Sequence, residues 1–185
     1  MKHRVKVGVL RRGEIPFLLQ LWRDPEVMRY TDELPSLRGW TKKTAPSRAW
    51  REYVARRRAL GPLYTQLIVR TMRGKPIGES FIAPLSDWYE IGPWRKPDGV
   101  VTVIGDIKLE RRCWGIGLGT SGMQQVVRWV FRRTDCQLFI VPPHERNRAA
   151  SRIYYKAGFR LVDAMVNEPG HRVMQLTRQQ YASLR

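Results

Sequence analysis

The segment from Trp114 to Gly122 reads WGIGLGTSG, four glycines in nine residues. Three kinds of chemistry use such a turn. Gly117-Leu-Gly-Thr-Ser-Gly122 spells GxGxxG, the dinucleotide fingerprint. That reading requires a βαβ unit with an acid about 20 residues on, at the end of the next strand. Here Asp135 stands before the apolar run CQLFIV, and the motif begins only at residue 117 of 185. A serine nucleophile elbow requires GxSxG. Around Ser121 the chain reads Gly119-Thr-Ser-Gly122-Met123, one residue short, and His3, His144 and His171 are scattered. The third chemistry is a phosphate cradle, in which backbone N–H groups converge on an anion at a helix N-terminus. A ligand-free turn is the alternative. It needs only one or two glycines, whereas each further glycine costs backbone entropy on folding.

The elements around the turn suit a cradle. Residues 100–109, VVTVIGDIKL, read as one strand before it. A helix over 118–133 follows, with Met123, Val126, Val127, Val130 and Phe131 on one apolar face. Then come a buried-type strand, CQLFIV, and a helix, RAASRIYYKA, with Asn147 as N-cap and Gly158 as its stop. Upstream, residues 4–10 read as a first strand, and Pro16 opens an apolar helical stretch. The short piece PEVMRY follows Asp24, and a further helix starts at Pro46 and ends at Gly61. Strands at 65–71 and 76–84 flank a tight turn at Arg73-Gly74-Lys75, and a long loop covers 85–99. Phe159 onwards reads as a last hairpin. The order β-α-α-β-β-β-α-β-α-β-β is mixed α/β in one domain, residues 1–185, with no linker to divide it.

Composition narrows the class. Apolar residues make up 43% of the chain, with seven Trp, enough for a globular core. No apolar run approaches the ~20 residues of a membrane helix. The basic N-terminus is too short and interrupted in its apolar part for a signal peptide, so the expected location is the cytoplasm. Cys113 and Cys136 form no CxxC, and no ligand set for a metal is apparent. The formal net charge is +18, which favours polyanionic partners: nucleic acid, anionic lipid or a phosphate-rich cofactor. An arginine bias spread over the whole surface accounts for the charge equally well.

Two motifs carry a family resemblance. WGIGLGT and the helix after it resemble the acetyl-CoA turn of the GNAT superfamily of N-acetyltransferases, Gln/Arg-x-x-Gly-x-Gly/Ala, with Trp114 in the Gln/Arg place. NRAASRIYYKAGF, Asn147 to Phe159, resembles the family's Asn-x-x-Ser/Ala-x-x-x-Tyr-x-Lys-x-Gly-Phe. DPEVMRYTDELP and RGKPIGES also resemble the family's first helical region and second hairpin. The likeness is nearest to aminoglycoside 6′-N-acetyltransferases and ribosomal-protein N-terminal acetyltransferases. It implies a GNAT-like α/β fold: a central mixed, mostly antiparallel sheet of six to seven strands with about four helices. It implies direct acetyl transfer from acetyl-CoA to a primary amine in a ternary complex.

The resemblance also assigns residues. Tyr154 would donate a proton to the departing thiolate, with Tyr155 as the fallback. Ile107 and Leu109 would pair with the pantetheine, and Gly115, Ile116, Gly117, Leu118, Gly119 and Thr120 would offer amides to the pyrophosphate. Asn147 matches the family's CoA-side asparagine; Arg112, Arg148, Arg152 and Lys156 are a basic group for the outer phosphate. The base is less defined. Val103 occupies the place of the glutamate some members use, and Asp106 stands one residue from the register of a strand aspartate. Asp106, Glu110 or no dedicated base are the options.

The acceptor amine would lie between the N-terminal helices and the 85–99 loop. Asp32, Glu33, Asp87 and Glu90 are the carboxylates there, and Trp88, Tyr89 and Trp94 either form a wall or pack the loop down. The acceptor is a small-molecule amine, including an aminoglycoside-like one, or a protein N-terminus or lysine. The +18 charge disfavours a polycation at long range and suits work near RNA. A basic RNA- or ribosome-binding module without activity is the alternative, and a monomer or homodimer is expected.

Overall fold

A computed structural model describes residues 5–31, 44–86, 90–91, 94–165 and 170–184. The chain runs β1 (Val5–Val9), α1 (Ile15–Leu21), α2 (Pro25–Met28), α3 (Pro46–Leu60), β2 (Thr65–Thr71) and β3 (Pro76–Pro84). It continues through β4 (Glu90–Ile91), β5 (Trp94–Arg95), β6 (Thr102–Gly105), β7 (Lys108–Leu109), α4 (Leu118–Arg133) and β8 (Leu138–Val141). It closes with α5 (Arg148–Lys156), β9 (Arg160–Met165), β10 (Arg172–Thr177) and α6 (Arg178–Ser183).

Local chemistry sets the helix ends. Asp24 caps α2 by accepting from the Glu26 N–H at 3.0 Å. Proline opens α3 at its first turn, and Gly61, at φ 69°, closes it. Asn147 caps α5 by accepting from the Ala150 N–H at 3.0 Å.

The main sheet runs β1-β2-β3-β6-β8-β10-β9, with β7 also on β3. Its pairs are antiparallel except β6 with β8. One face carries α4, whose Met123, Val126, Val127, Val130 and Phe131 pack with Leu67, Ile82, Val103 and Phe139. The other carries α1 and α3, through Leu18, Leu19, Ala49 and Tyr53 on Ile68 and Phe81. Phe159 is fully buried, edge-on to Phe139 with ring centroids 5.1 Å apart. Phe159→Ala is expected to cost about 3–5 kcal/mol, the range for deleting a buried aromatic. A urea titration checks it: the midpoint falls while the slope is kept.

Two features depart from the sequence reading, and one open choice is resolved. The strand expected over 100–109 is divided into β6 and β7. It keeps one register with β3 throughout but loses β8 beyond Ile104. Counted as one strand along β3, β6–β7 leaves seven in the main sheet, plus the small β4–β5 hairpin. Six α-helices are present among the described residues, not four. The two beyond four are short: α2, the PEVMRY piece, has four residues, and α6 has six, held by a Thr177–Gln180 capping box. Trp94 is buried in a cluster with Leu85, Ile104, Leu138 and Val173, so it packs the loop down and forms no exposed wall. No helix among the described residues is long and apolar enough to cross a membrane.

Candidate active site

The loss of β8 beyond Ile104 opens the sheet. Asp106 donates its N–H to the Phe81 carbonyl at 3.3 Å, and Glu110 donates to Ile77 at 2.9 Å. Main-chain groups alternate sides along a strand, so those of Ile107 and Leu109 face away from β3. They look into a cleft of about 630 Å³ between the strand, the glycine turn and α5. Val27 and Tyr30, from the α2 region, form its far wall. That wall is tied down by Arg111, whose Nε lies 2.9 Å from the Asp24 carboxylate.

The glycine turn has a geometry that could hold an anion. Gly115 and Gly117 take φ of 73° and 83°, the left-handed region. Gly117 is the N-cap of α4, and no side chain caps that helix. Its first amides are therefore left to an exogenous acceptor, with the helix dipole behind them. Gly119 allows the first turn to approach α5: a Cβ there would lie 2.7 Å from Ile153 Cδ1. Asn147, Arg148, Arg152 and Lys156 line the opposite side. Converging amides on one wall and cations on the other fit a pyrophosphate-bearing group such as coenzyme A.

Most of the sequence-derived cofactor residues meet here. Ile107, Leu109, Gly115, Gly117, Gly119, Thr120, Asn147, Arg152 and Lys156 line the one cleft. The side chains of Ile116 and Leu118 do not. Ile116 is exposed, and Leu118 packs against the Val5–Val69–Leu109 cluster. Only their amides belong to the turn. Arg112 is not among the residues lining the cleft; its guanidinium lies on the surface, bonded to Glu110 at 2.7 Å.

Tyr154 and Asp106 stand on opposite faces of the sheet, and neither is among the residues lining the cleft. Tyr154 comes from the α4 side, 4% exposed, with Phe159 beside it at a centroid distance of 5.9 Å. The main-chain N–H of Ile107 lies on the side of its hydroxyl. Burial pushes its pKa well above the ordinary tyrosine value, and the charges of Asp106 and Glu79 add to this, while the Ile107 N–H opposes it. Asp106 shares its face with Glu79, Phe81, Ile104 and Lys108, since paired residues on neighbouring strands point the same way. It lies between the α1–α3 layer and the layer packed under Trp94. Its side chain is 28% exposed and paired with the buried Lys108 ammonium.

Tyr155, the fallback, is 61% exposed, with the Arg160 guanidinium 4.6 Å from its ring centroid, and faces away from the cleft. Val103 is core. Glu110 is engaged with Arg112. On the acceptor side, Asp32, Glu33, Asp87, Trp88 and Tyr89 lie outside the described residues, and Glu90 stands on β4.

Sequence reading missed two residues. Lys108 lies 3.5 Å from the fully buried Glu79 and also pairs with Asp106. Glu79 accepts in turn from Trp22 Nε1 at 3.0 Å and from Gln66. The alternation Asp106-Ile107-Lys108 places both charges on one face, a signal present in the sequence. Trp114 is the second. Its Nε1 donates to the Leu109 carbonyl at 2.8 Å, a contact that no local pattern announces.

Comparison with known proteins gives a consistent result. The model of the family described as "Acetyltransferase (GNAT) domain" matches residues 4–160. No curated protein matches the sequence. Among solved structures, AAC(6')-Ib in complex with acetyl-CoA is 20% identical, with a TM-score of 0.69 over 98% of this chain and 97% of that one. The same aminoglycoside acetyltransferase with coenzyme A and kanamycin is 19% identical, with a TM-score of 0.68 over 97% of this chain and 98% of that one. Spermidine N-acetyltransferase from Vibrio cholerae, in complex with CoA and spermine, is 12% identical, with a TM-score of 0.71 over 98% of this chain and 99% of that one. At these identities the likeness is one of fold.

Proposed function

This chain belongs to the acetyltransferase (GNAT) family, and from that premise we propose that its cleft serves direct acetyl transfer from acetyl-CoA to a small primary amine. The chain is an acetyl-CoA-dependent N-acetyltransferase; the residue roles and the acceptor are the proposal. One observation carries it: the open strand edge at Gly105–Leu109, with Tyr154 below it on one face and Asp106 on the other.

Bound acetyl-CoA supplies the thioester carbon that the amine attacks. Gly115 to Thr120 hold its pyrophosphate through their amides, and Arg148, Arg152 and Lys156 neutralise the remaining phosphate charge. The Leu109 N–H, on the free edge, donates to the carbonyl oxygen as negative charge builds there. Asp106 takes the proton that the attacking ammonium must lose, directly or through a water. Tyr154 gives its hydroxyl proton to the thiolate as the C–S bond breaks; the nitrogen's remaining excess proton passes to solvent as the amide forms, and solvent reprotonates Tyr154. Its raised pKa keeps that proton in place at neutral pH.

The structural neighbours solved with kanamycin and with spermine support a small amine as the acceptor. A free-thiol release assay tests this with a polyamine, an aminoglycoside and a peptide with a free N-terminus. Turnover is expected with a small amine, and turnover with the peptide alone would overturn the acceptor class. A second reading, RNA contact in the cytoplasm, rests on the exposed Arg51, Arg56 and Arg58 of α3 and on the +18 charge. Such contact would weaken steeply with salt.

A further inference from the structure

We infer that Trp114 is a positioning residue that pins the glycine turn to the strand edge and so keeps the amides of residues 115–120 aimed into the cleft. The inference rests on the reading of that turn as the coenzyme A cradle.

Between Leu109 and Gly117 the chain makes one short 3-10 turn, Arg111–Cys113, with Cys113 N–H donating to Glu110 at 2.8 Å and Trp114 N–H to Arg111 at 3.0 Å. Cys113 is the buried anchor, packed with Val5, Val69, Ile77 and Leu109. Beyond it come two glycines at positive φ, Gly115 and Gly117. Glycine has the most backbone freedom to lose, so an unpinned turn of this kind samples many arrangements of its amides. The Trp114 indole is the last fixed point before them. Its N–H bonds the Leu109 carbonyl at 2.8 Å while its ring, 47% exposed, forms part of the cleft wall.

The contact has a second consequence. Leu109 presents both its N–H and its carbonyl to the open side of the strand. Trp114 occupies the carbonyl, and the Leu109 N–H is the donor assigned to the thioester oxygen. A pantetheine arm is therefore left with the main-chain groups of Ile107. Trp114 thus leaves one short stretch of edge for the arm and sets the cradle at a fixed distance beyond it.

The variant is Trp114→Phe, which keeps most of the ring and removes the N–H. Coenzyme A affinity by calorimetry is expected to fall about tenfold, the scale of one hydrogen bond. The kcat at saturating acetyl-CoA should be unchanged. Turnover of the acetyl thioester of N-acetylcysteamine, which lacks the pyrophosphate, should also be unchanged. Amide hydrogen exchange across residues 115–120 should accelerate in the variant without any ligand. An affinity within twofold of wild type would overturn the inference. So would an equal loss with the short thioester, which would place the effect on the strand. If the wild-type protein binds no coenzyme A, the functional reading fails separately. Exchange then decides the docking: faster exchange supports it, and unchanged exchange overturns it.

Discussion

Tyr154→Phe is expected to lower turnover by about 100-fold and to leave acetyl-CoA affinity within twofold. The magnitude is the usual scale for losing a general acid. The substitution removes one oxygen and keeps the ring that packs against Phe159 in the core. The fold should therefore survive. The wild-type pH profile should show no limb from Tyr154 in the neutral range. Burial and two nearby carboxylates raise its pKa, so the hydroxyl keeps its proton well past neutrality. Steady-state kinetics with a saturating amine, beside a calorimetric titration of coenzyme A, separate the two effects. Unchanged turnover would remove Tyr154 from the mechanism.

Gly117→Val is expected to abolish measurable acetyl-CoA binding in a protein that still folds. Gly117 sits at φ 83° as the N-cap of α4. A β-branched residue is an outlier in that region, and an L side chain there costs about 1–2 kcal/mol. The chain relieves this by rotating the peptide, which turns the first amides of α4 away from the cleft. The helix itself is held independently, by Met123, Val126, Val127 and Val130 in the core. Circular dichroism should therefore match wild type while calorimetry shows no heat of binding. Retained binding would mean that the pyrophosphate is held elsewhere.

Much of the frame was legible in the sequence because it is local. The 3.6-residue apolar period places α4 at 118–133, where it is found. Asn147 and Gly158 bracket α5, and strands at 65–71 and 76–84 flank a tight turn. The turn was legible for the same reason: glycines clustered at the start of an apolar helix mark a tight turn there. What escaped is non-local. The parting of β8 from the β6–β7 strand depends on two segments about 35 residues apart, and VVTVIGDIKL reads as one strand however its neighbours run. The same holds for Arg112, whose surface pairing with Glu110 a count of basic residues cannot foresee. Trp94 was ambiguous because an aromatic in a long loop serves equally as wall or as core. It proved to be core because Ile104, Leu138 and Val173 leave an apolar patch for it to cover.

The most direct test of the cradle is a calorimetric titration of acetyl-CoA at about 150 mM salt, where non-specific charge effects are screened. NAD and an RNA oligomer serve as controls. The predicted result is saturable one-site binding of acetyl-CoA, absent with NAD and lost in Gly117→Val. Binding of RNA without acetyl-CoA, or equal binding of NAD, would contradict it.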